Sequence, residues 1–477
     1  MSDSSYYLDK ICKIQPESTI EKSDIGFSDL FAQLYNKELR FNVNSNSWFM
    51  YDGIRWREDT GGVFAAEKAK EMFRILKVYA ARPPKDDSQT EQRDNFLKEV
   101  LKYGNYKKRE TLVKDSKSRM AIGQSVFDSN NDYFNCLNCT LNLRTLETHK
   151  HTPDDFISKV SGCEYDPDAD ISKWTKFISE VLQDNTEKAA YLQRICGYTL
   201  TAYTQLEKAF FLYGATTRNG KSTFTETFRS MMGDYAGVAQ PETIAQSYGK
   251  NAGRATPEIA KLDGIRFLNM SEPPKNMLLD VALFKQLTGG DTLSARFLHK
   301  NDFEFRPQFK LFINCNSLPH VTDDTLFKSD RVRIITFDRH FKKNERNMNL
   351  KKELKDNQVL SSVLNWAIVG LKSFYEVGEN PPECVKAATE IYKYNTDKIM
   401  QFFNDCMEQS DNNTSGNYAY LVYQGWCKNN NFSFEGKHQF FTILRDREIL
   451  SDTGTVSGAT IHNVIMGYDL LEEYKTE

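Results

Sequence analysis

The residues best placed to do chemistry form the run Gly214-Ala215-Thr216-Thr217-Arg218-Asn219-Gly220-Lys221-Ser222-Thr223. The apolar stretch Phe210-Phe211-Leu212-Tyr213 precedes it, and a helical pattern opens at Ser222, giving the spacing G-x-x-x-x-G-K-S between a strand and a helix. Gly214 and Gly220 let the backbone wrap a pyrophosphate, with amide groups and a helix N-terminus pointing at anionic oxygens. Lys221 then reaches the β- and γ-phosphates, the Ser222 hydroxyl sits on Mg²⁺, and Asn219 and Thr223 complete the nucleotide contacts. The motif implies a bound nucleoside triphosphate.

Such a loop serves kinases, GTPases, transporters and motors alike, so residues downstream must choose among them. Ile265-Arg266-Phe267-Leu268-Asn269-Met270-Ser271-Glu272 reads as a hydrophobic strand ending on an acid, where a carboxylate can orient attacking water beside Mg²⁺. Leu293–Leu298 and Phe303–Arg306 are alternating runs around His299-Lys300-Asn301-Asp302, a hairpin whose basic tip suits a phosphate backbone. Lys310–Asn316 is a further apolar strand ending in Asn316, which can hold the water or touch a γ-phosphate. Asp330-Arg331-Val332-Arg333-Ile334-Ile335 opens another strand on arginines, one of which can stabilise transition-state charge in a neighbouring subunit.

The elements that must position these residues run the length of the chain. Its 477 residues exceed one core, so two to four domains are expected. No apolar run approaches the ~18 residues that span a membrane, and the N-terminus does not read as a signal peptide. Nine scattered cysteines argue for reduced thiols, and a net charge of −3 requires any nucleic-acid surface to concentrate its positive charge locally. Residues 1–40 read as a polar leader with one helix, Phe27 to Leu39. Aromatic strands around Asp52-Gly53 predict a hairpin; residues 64–82 and 94–104 read as helices, and Tyr133–Thr148 as a small β unit. Helical spacing returns at Trp174–Leu200 and at 350–376. From 396 onward, helices at Thr396–Glu408, Tyr418–Asn429 and Lys437–Ile449 lead into a Gly/Thr-rich ribbon, Asp452–Leu470, which suggests a winged helix. Lys437, His438, Arg445 and Arg447 fall on its candidate recognition helix.

Two metal-like constellations are declined. Cys136 and Cys139 have zinc spacing, but His149 and His151 are not the usual second half. Asp166, Asp168 and Asp170 flank Pro167 in a turn-like loop, so no primase domain is expected.

Taken in order, these elements resemble a superfamily 3 helicase, an AAA+ type ring motor of viruses, phages and mobile elements, in the branch of poxvirus-type and satellite-phage-type primase-helicases. The resemblance rests on Gly214–Ser222, Ser271-Glu272, Lys285-Gln286-Leu287-Thr288-Gly289-Gly290-Asp291 with Arg296, Asn316-Ser317-Leu318-Pro319 and Arg331. Upstream, Trp48–Trp56, Leu137–Leu141 and Asp166–Trp174 look like that branch's helicase-preceding domain, and the layout is similar to replication initiators of staphylococcal pathogenicity islands and related phages. It implies an α/β P-loop (AAA+/ASCE) core at 201–380, a mainly α-helical collar domain at 41–200 and a C-terminal winged-helix domain at 395–477. It also implies ATP and Mg²⁺ as cofactors, with Ser222 and Glu272 on the metal and the second contact beside Glu272 left open, Glu272 the catalytic carboxylate, Asn316 the sensor and Arg331 the finger acting in trans. His299 and Lys300 become the channel hairpin. Ser271 stands where many members have a second acid, and Arg333 is the alternative finger.

The implied function is a replicative helicase and initiator that forms a homohexamer and moves 3′ to 5′ on DNA. Its implied partners are single- and double-stranded DNA, the replication origin included, and host replication proteins, with no membrane; its implied place is the cytoplasm of a bacterium or infected host. Two other readings stay open: a DNA-dependent ATPase that remodels or packages DNA without unwinding, and a non-catalytic initiator switched by nucleotide.

Overall fold

The computed structural model describes residues 4–83, 89–246, 257–274, 277–296, 302–321, 325–430, 432 and 434–475. The chain divides into two compact units: residues 1–319 with 329–386, and residues 320–328 with 387–477.

The first unit is built around five short strands, and all but the second in chain order are buried almost throughout rather than alternately, as strands covered on both faces require. They are β1 (Ala209–Tyr213), β2 (Ala236–Ala239), β3 (Phe267–Met270), β4 (Lys310–Cys315) and β5 (Val332–Thr336). All neighbours pair in parallel, in the order β5-β1-β4-β3-β2. Parallel pairing puts every carboxyl end on one side of the sheet, and β1 is flanked by β4 and β5, which both come later in the chain.

Helix α2 (Lys221–Met232) leaves the loop after β1 and buries Phe224, Phe228 and Met231. Helices α1 (Thr186–Leu200) and α4 (Asn357–Val377) cross backbone against backbone. A Cβ on Gly197 would collide with the Leu371 amide and the Ala367 carbonyl, and one on Gly370 with the Gln193 carbonyl. Helix α3 (Val281–Thr288) precedes an antiparallel pair, Leu293–Ala295 with Phe303–Phe305. That pair is the expected hairpin; its tip, with His299 and Lys300, lies outside the described residues.

N-terminal to the sheet, the Asp52-Gly53 turn joins Ser47–Tyr51 to Trp56–Glu58 as expected. Asp52 Oδ1 accepts from the amides of Ile54 and Arg55, and Gly53 takes φ 99°. These strands belong to a four-stranded sheet with Leu39–Asn42 and Ala121–Ile122. Helices Ser4–Ile14, Asp24–Tyr35, Val63–Ala80 and Thr90–Lys102 pack with it into one core. Residues 1–40 therefore differ from a polar leader: Tyr7 and Ile11 lie one helical turn apart and are buried against that core with Phe27 and Phe31. Tyr133–Asn135, Thr140–Asn142 and Thr148–His149 form the small antiparallel β unit.

The second unit contains helices Lys398–Cys406, Gly416–Asn429 and Lys437–Asp446, then strands Leu450–Val456 and Ala459–Ile465. Ser457 and Gly458 both have positive φ, the two-residue turn that matches strand twist. Thr414–Ser415 adds a third strand beside Ala459–Ile465, a short element that its two residues were too few to signal. Phe402, Tyr423, Trp426 and Phe440 form an aromatic core. Among the described residues, no helix is long and apolar enough to cross a membrane.

Gly370→Ala is expected to cost about 1–3 kcal/mol by overpacking the α1–α4 crossing. Gly425→Ala, whose Cβ meets nothing within 4 Å inside a helix, should be neutral or stabilising. Urea unfolding of the two variants checks the contrast.

Candidate functional site

The loop from Gly214 to Gly220 leaves the carboxyl end of β1, and its two glycines are there for different reasons. A Cβ on Gly214 would collide with Asn219 Nδ2 and lie 2.8 Å from the Phe337 carbonyl and 2.9 Å from Lys221 Nζ. Gly220 has φ 89°, and a Cβ there would run into Val181. Only the smallest residue fits either position. Inside the loop, Asn219 Nδ2 donates to the Thr216 carbonyl at 2.6 Å. The segment after β5 braces its outer side: His340 Nδ1 lies 2.9 Å from the Thr217 carbonyl, and the Phe341 amide donates to the Arg218 carbonyl at 3.0 Å.

Lys221 is 3% exposed. Its Nζ donates to the Gly214 carbonyl at 3.2 Å and to Asn316 Oδ1 at 2.8 Å, while Asn316 Nδ2 donates to Glu272 Oε1 at 2.7 Å. One hydrogen-bonded line thus joins the residues expected to bind phosphate, sense it and activate water. Burial lowers the Lys221 pKa, and the nearby Cys315 and Glu272 oppose that shift. Ser222 and Glu272 are exposed and Thr223 is half-buried, so the polar ends of the line face solvent. Below it, Asn314 Nδ2 donates to Thr225 Oγ1 at 3.1 Å and Asn269 Oδ1 at 3.0 Å, tying β4 to α2 and β3. Ser271 is exposed beside Glu272.

Arg331 sits at the opposite end of the sheet. The Ala209 amide, at the start of β1, donates to the Arg331 carbonyl. At about 3.3 Å per residue, β1 then separates that end from Gly214 by roughly 15 Å, so Arg331 cannot reach the loop of its own chain. Its guanidinium pairs with Glu207 at 2.6 Å and donates to Thr288 Oγ1 at 3.2 Å and the Lys285 carbonyl at 3.1 Å. Gly289 lies directly against it, 3.4 Å from Nη1 to a Cβ position. The Thr-Gly-Gly-Asp element is therefore a seat for Arg331, a relationship that neither sequence position nor spacing discloses.

Arg333 has another job. It is buried and bonded to Glu379 at 2.6 and 3.1 Å and to Asp330 at 2.5 and 2.8 Å. Arg333, with Lys208, holds the Asp330 carboxyl well below the usual carboxylate range.

In the second unit, Lys437 and His438 are exposed on the helix Lys437–Asp446. Arg445 braces the ribbon, donating to Asp452 at 2.9 Å and Asn463 at 2.7 Å. Arg447 pairs at 2.9 Å with Asp397, the residue that caps the helix Lys398–Cys406.

The declined constellations are engaged locally. His149 Nε2 lies 2.8 Å from Asp155 Oδ2, and His151 Nε2 is 3.4 Å from the Leu137 carbonyl. Asp166 accepts from the Asp168 amide, and Asp170 from the Ser172 amide and hydroxyl. Among the described residues, no group of three His, Cys, Asp or Glu side chains could hold a metal.

The fold is a mixed α/β arrangement with a parallel sheet, and it is similar to the C-terminal region of NrS-1 in its apo form. The TM-score is 0.51 at 10% identity, covering 94% of this chain and 100% of that one. Residues 28–183 match the family described as "D5 N terminal like", and residues 212–331 match a family of unknown function. A protein of Acanthamoeba polyphaga mimivirus provisionally named a helicase is 23% identical over 88% of this chain and 47% of its own length. Similarly named proteins of Frog virus 3 and Invertebrate iridescent virus 3 are 25% and 24% identical, over 61% and 66% of this chain and 30% and 37% of theirs. The chain thus spans about half, or less, of the length of these relatives. By these matches the chain is similar to viral proteins named as helicases and carries a region of the "D5 N terminal like" kind.

Removing Arg333 leaves Glu379 with only the Tyr191 hydroxyl and Lys208 at 4.0 Å, so Arg333→Ala should cost about 3 kcal/mol of folding stability. Arg331 pairs with a half-exposed Glu207, and Arg331→Ala should cost about 1 kcal/mol or less. Chemical denaturation of both variants checks the difference.

Proposed function

We propose that the chain is an ATP-dependent replicative DNA helicase and initiator of a phage or mobile element, working as a homohexameric ring that moves 3′ to 5′. The observation that carries this reading is the Lys221–Asn316–Glu272 line across the carboxyl ends of β1, β4 and β3. The strand order β5-β1-β4-β3-β2 supports a P-loop core of the AAA+ type. The two glycines whose Cβ atoms would fill the loop leave the cradle that a triphosphate requires.

In this reading the triphosphate takes the place of the Gly214 carbonyl as partner of Lys221, and Asn316 hands its contacts to the γ-phosphate and the attacking water. Glu272 accepts a proton from that water. Ser222 and Glu272 would hold Mg²⁺, an ion that takes one or two protein ligands and completes its shell with phosphates and waters. When bound it neutralises charge building on the β- and γ-phosphoryl oxygens. Arg331, out of reach of its own loop, would serve the loop of the adjacent subunit, with Glu207, Thr288 and Gly289 keeping it seated.

In the second unit, three helices and a ribbon in this order support a winged helix. Lys437 and His438 then offer the free DNA-facing side chains, while Arg445 and Arg447 act from the braced positions described above. His299 and Lys300 remain the proposed channel contacts.

Glu272→Gln should keep nucleotide binding, lower ATP turnover about 10²–10⁴-fold and abolish unwinding of a forked duplex with a 3′ tail. Asn316→Ala should lower turnover about 10²–10³-fold. Hydrolysis stimulated by DNA with no strand separation by the wild type would move the function to remodelling or packaging.

A further inference from the structure

The stretch from 102 to 119 carries seven basic residues, Lys102, Lys107, Lys108, Arg109, Lys114, Lys117 and Arg119, against only Glu110 and Asp115. In a chain of net charge −3 this is a local reversal of sign. The helix Tyr106–Asp115 lies beside Val63–Ala80, and between them and the strand Ser47–Tyr51 opens a cleft of about 460 Å³. Lys70 enters it from one helix, and Arg109, Lys114 and Lys117 from the other helix and the turn after it.

The charges in this cleft are unevenly spent. Lys70 pairs with Glu67, but among the described residues Arg109, Lys114 and Lys117 have no carboxylate in ion-pair reach. Arg109 is held in place by the Tyr103 and Gly104 carbonyls at 2.9 and 2.7 Å, which fix its position without neutralising it. Lys117 Nζ rests 4.4 Å from the Phe41 ring. Two acids of the wall are hydrogen-bonded by neutral donors and keep their charge: Asp59 accepts the amides of Phe64 and Ala65, both at 2.9 Å, and Glu58 accepts the Ser47 hydroxyl at 2.7 Å. Glu110 remains on the rim. Tyr106, also on the rim, is 69% exposed, a large ring with open space on its face.

We infer that this cleft in the N-terminal region is a binding site for single-stranded nucleic acid. Arg109, Lys114 and Lys117 take successive backbone phosphates, and Tyr106 stacks on a base. Convergent cations with an exposed ring are what a sequence-tolerant single-strand groove needs: the cations track the backbone, and every base has a face to stack. A duplex would satisfy the cations and leave Tyr106 idle. The site is independent of nucleotide hydrolysis and separate from the hairpin and the tail helix. It gives the N-terminal region a grip on the strand beyond packing.

The test is anisotropy of a labelled oligo(dT), without nucleotide, across a salt series on the full chain. Arg109→Ala/Lys114→Ala/Lys117→Ala should weaken binding roughly tenfold or more and lower the log–log salt slope by about 2, since each lost phosphate contact removes about 0.7. Lys114→Glu/Lys117→Glu, which leaves the Arg109 backbone bonds intact, should also weaken binding roughly tenfold or more and lower the slope by at least about 1.4 for its two lost contacts. Tyr106→Ala should weaken oligo(dT) about fivefold with the slope unchanged, because stacking releases no counterions. DNA-free ATP turnover should stay at the wild-type level in all three, which separates a failure here from a failure of the helicase reading. Wild-type affinity and slope in the two charge variants would overturn the inference.

Discussion

The site depends on one constraint, the parallel pairing of Lys310–Cys315 with Ala209–Tyr213. Cys315 stands opposite Tyr213, and the Gly214 amide donates to the Cys315 carbonyl at 3.1 Å. The next residue on each strand therefore emerges at the same level, and Asn316 meets Lys221 as α2 begins. β3 pairs on the far side of β4, so Glu272, two residues beyond its end, completes the line. A slip of one residue would turn each side chain to the other face of the sheet. The buried, continuous apolar strands that prevent this slip are thus as important to the chemistry as the polar groups at their ends.

The same sheet separates two kinds of arginine. Arg331 and Arg333, two residues apart, would share a face of an extended strand, yet they meet different partners. Arg333 is locked between Asp330 and Glu379 inside the unit, where removing it takes away the main partner of a buried charge. Arg331 rests on a helix end and on Glu207, contacts near the surface and open to exchange for a stronger anion. Its distance from Lys221 follows from sheet geometry alone. An arginine so placed can complete a phosphate site only in another copy of the chain.

Much of this was legible before the structure. The phosphate-type loop, the acid-ended strand, the Asn-ended strand and the basic strand opening are local patterns, and the chain builds each where its residues indicate. The tail's helices and ribbon read equally well, because their apolar spacing is strong. What escaped detection was non-local. The strand order depends on pairings across long stretches of chain, and Thr288 lies 43 residues from the arginine that it holds. Glu207 precedes β1 and has no motif to mark it. The helix Ser4–Ile14 was hidden by composition: Tyr7 and Ile11 are its buried stripe in a polar segment. The basic cleft escaped because its cations come from two helices, and neither helix alone forms a concave surface.

The central claim is that Lys221, Asn316 and Glu272 of one chain hydrolyse ATP with Arg331 of the next. The most direct test mixes two inactive proteins, Lys221→Ala and Arg331→Ala, and measures phosphate release in the presence of single-stranded DNA. Each alone lacks one half of every shared site, whereas a mixed ring contains interfaces with both halves intact. The account predicts that activity absent from either protein returns on mixing. No recovery, with gel filtration showing that the two proteins assemble together, would contradict it.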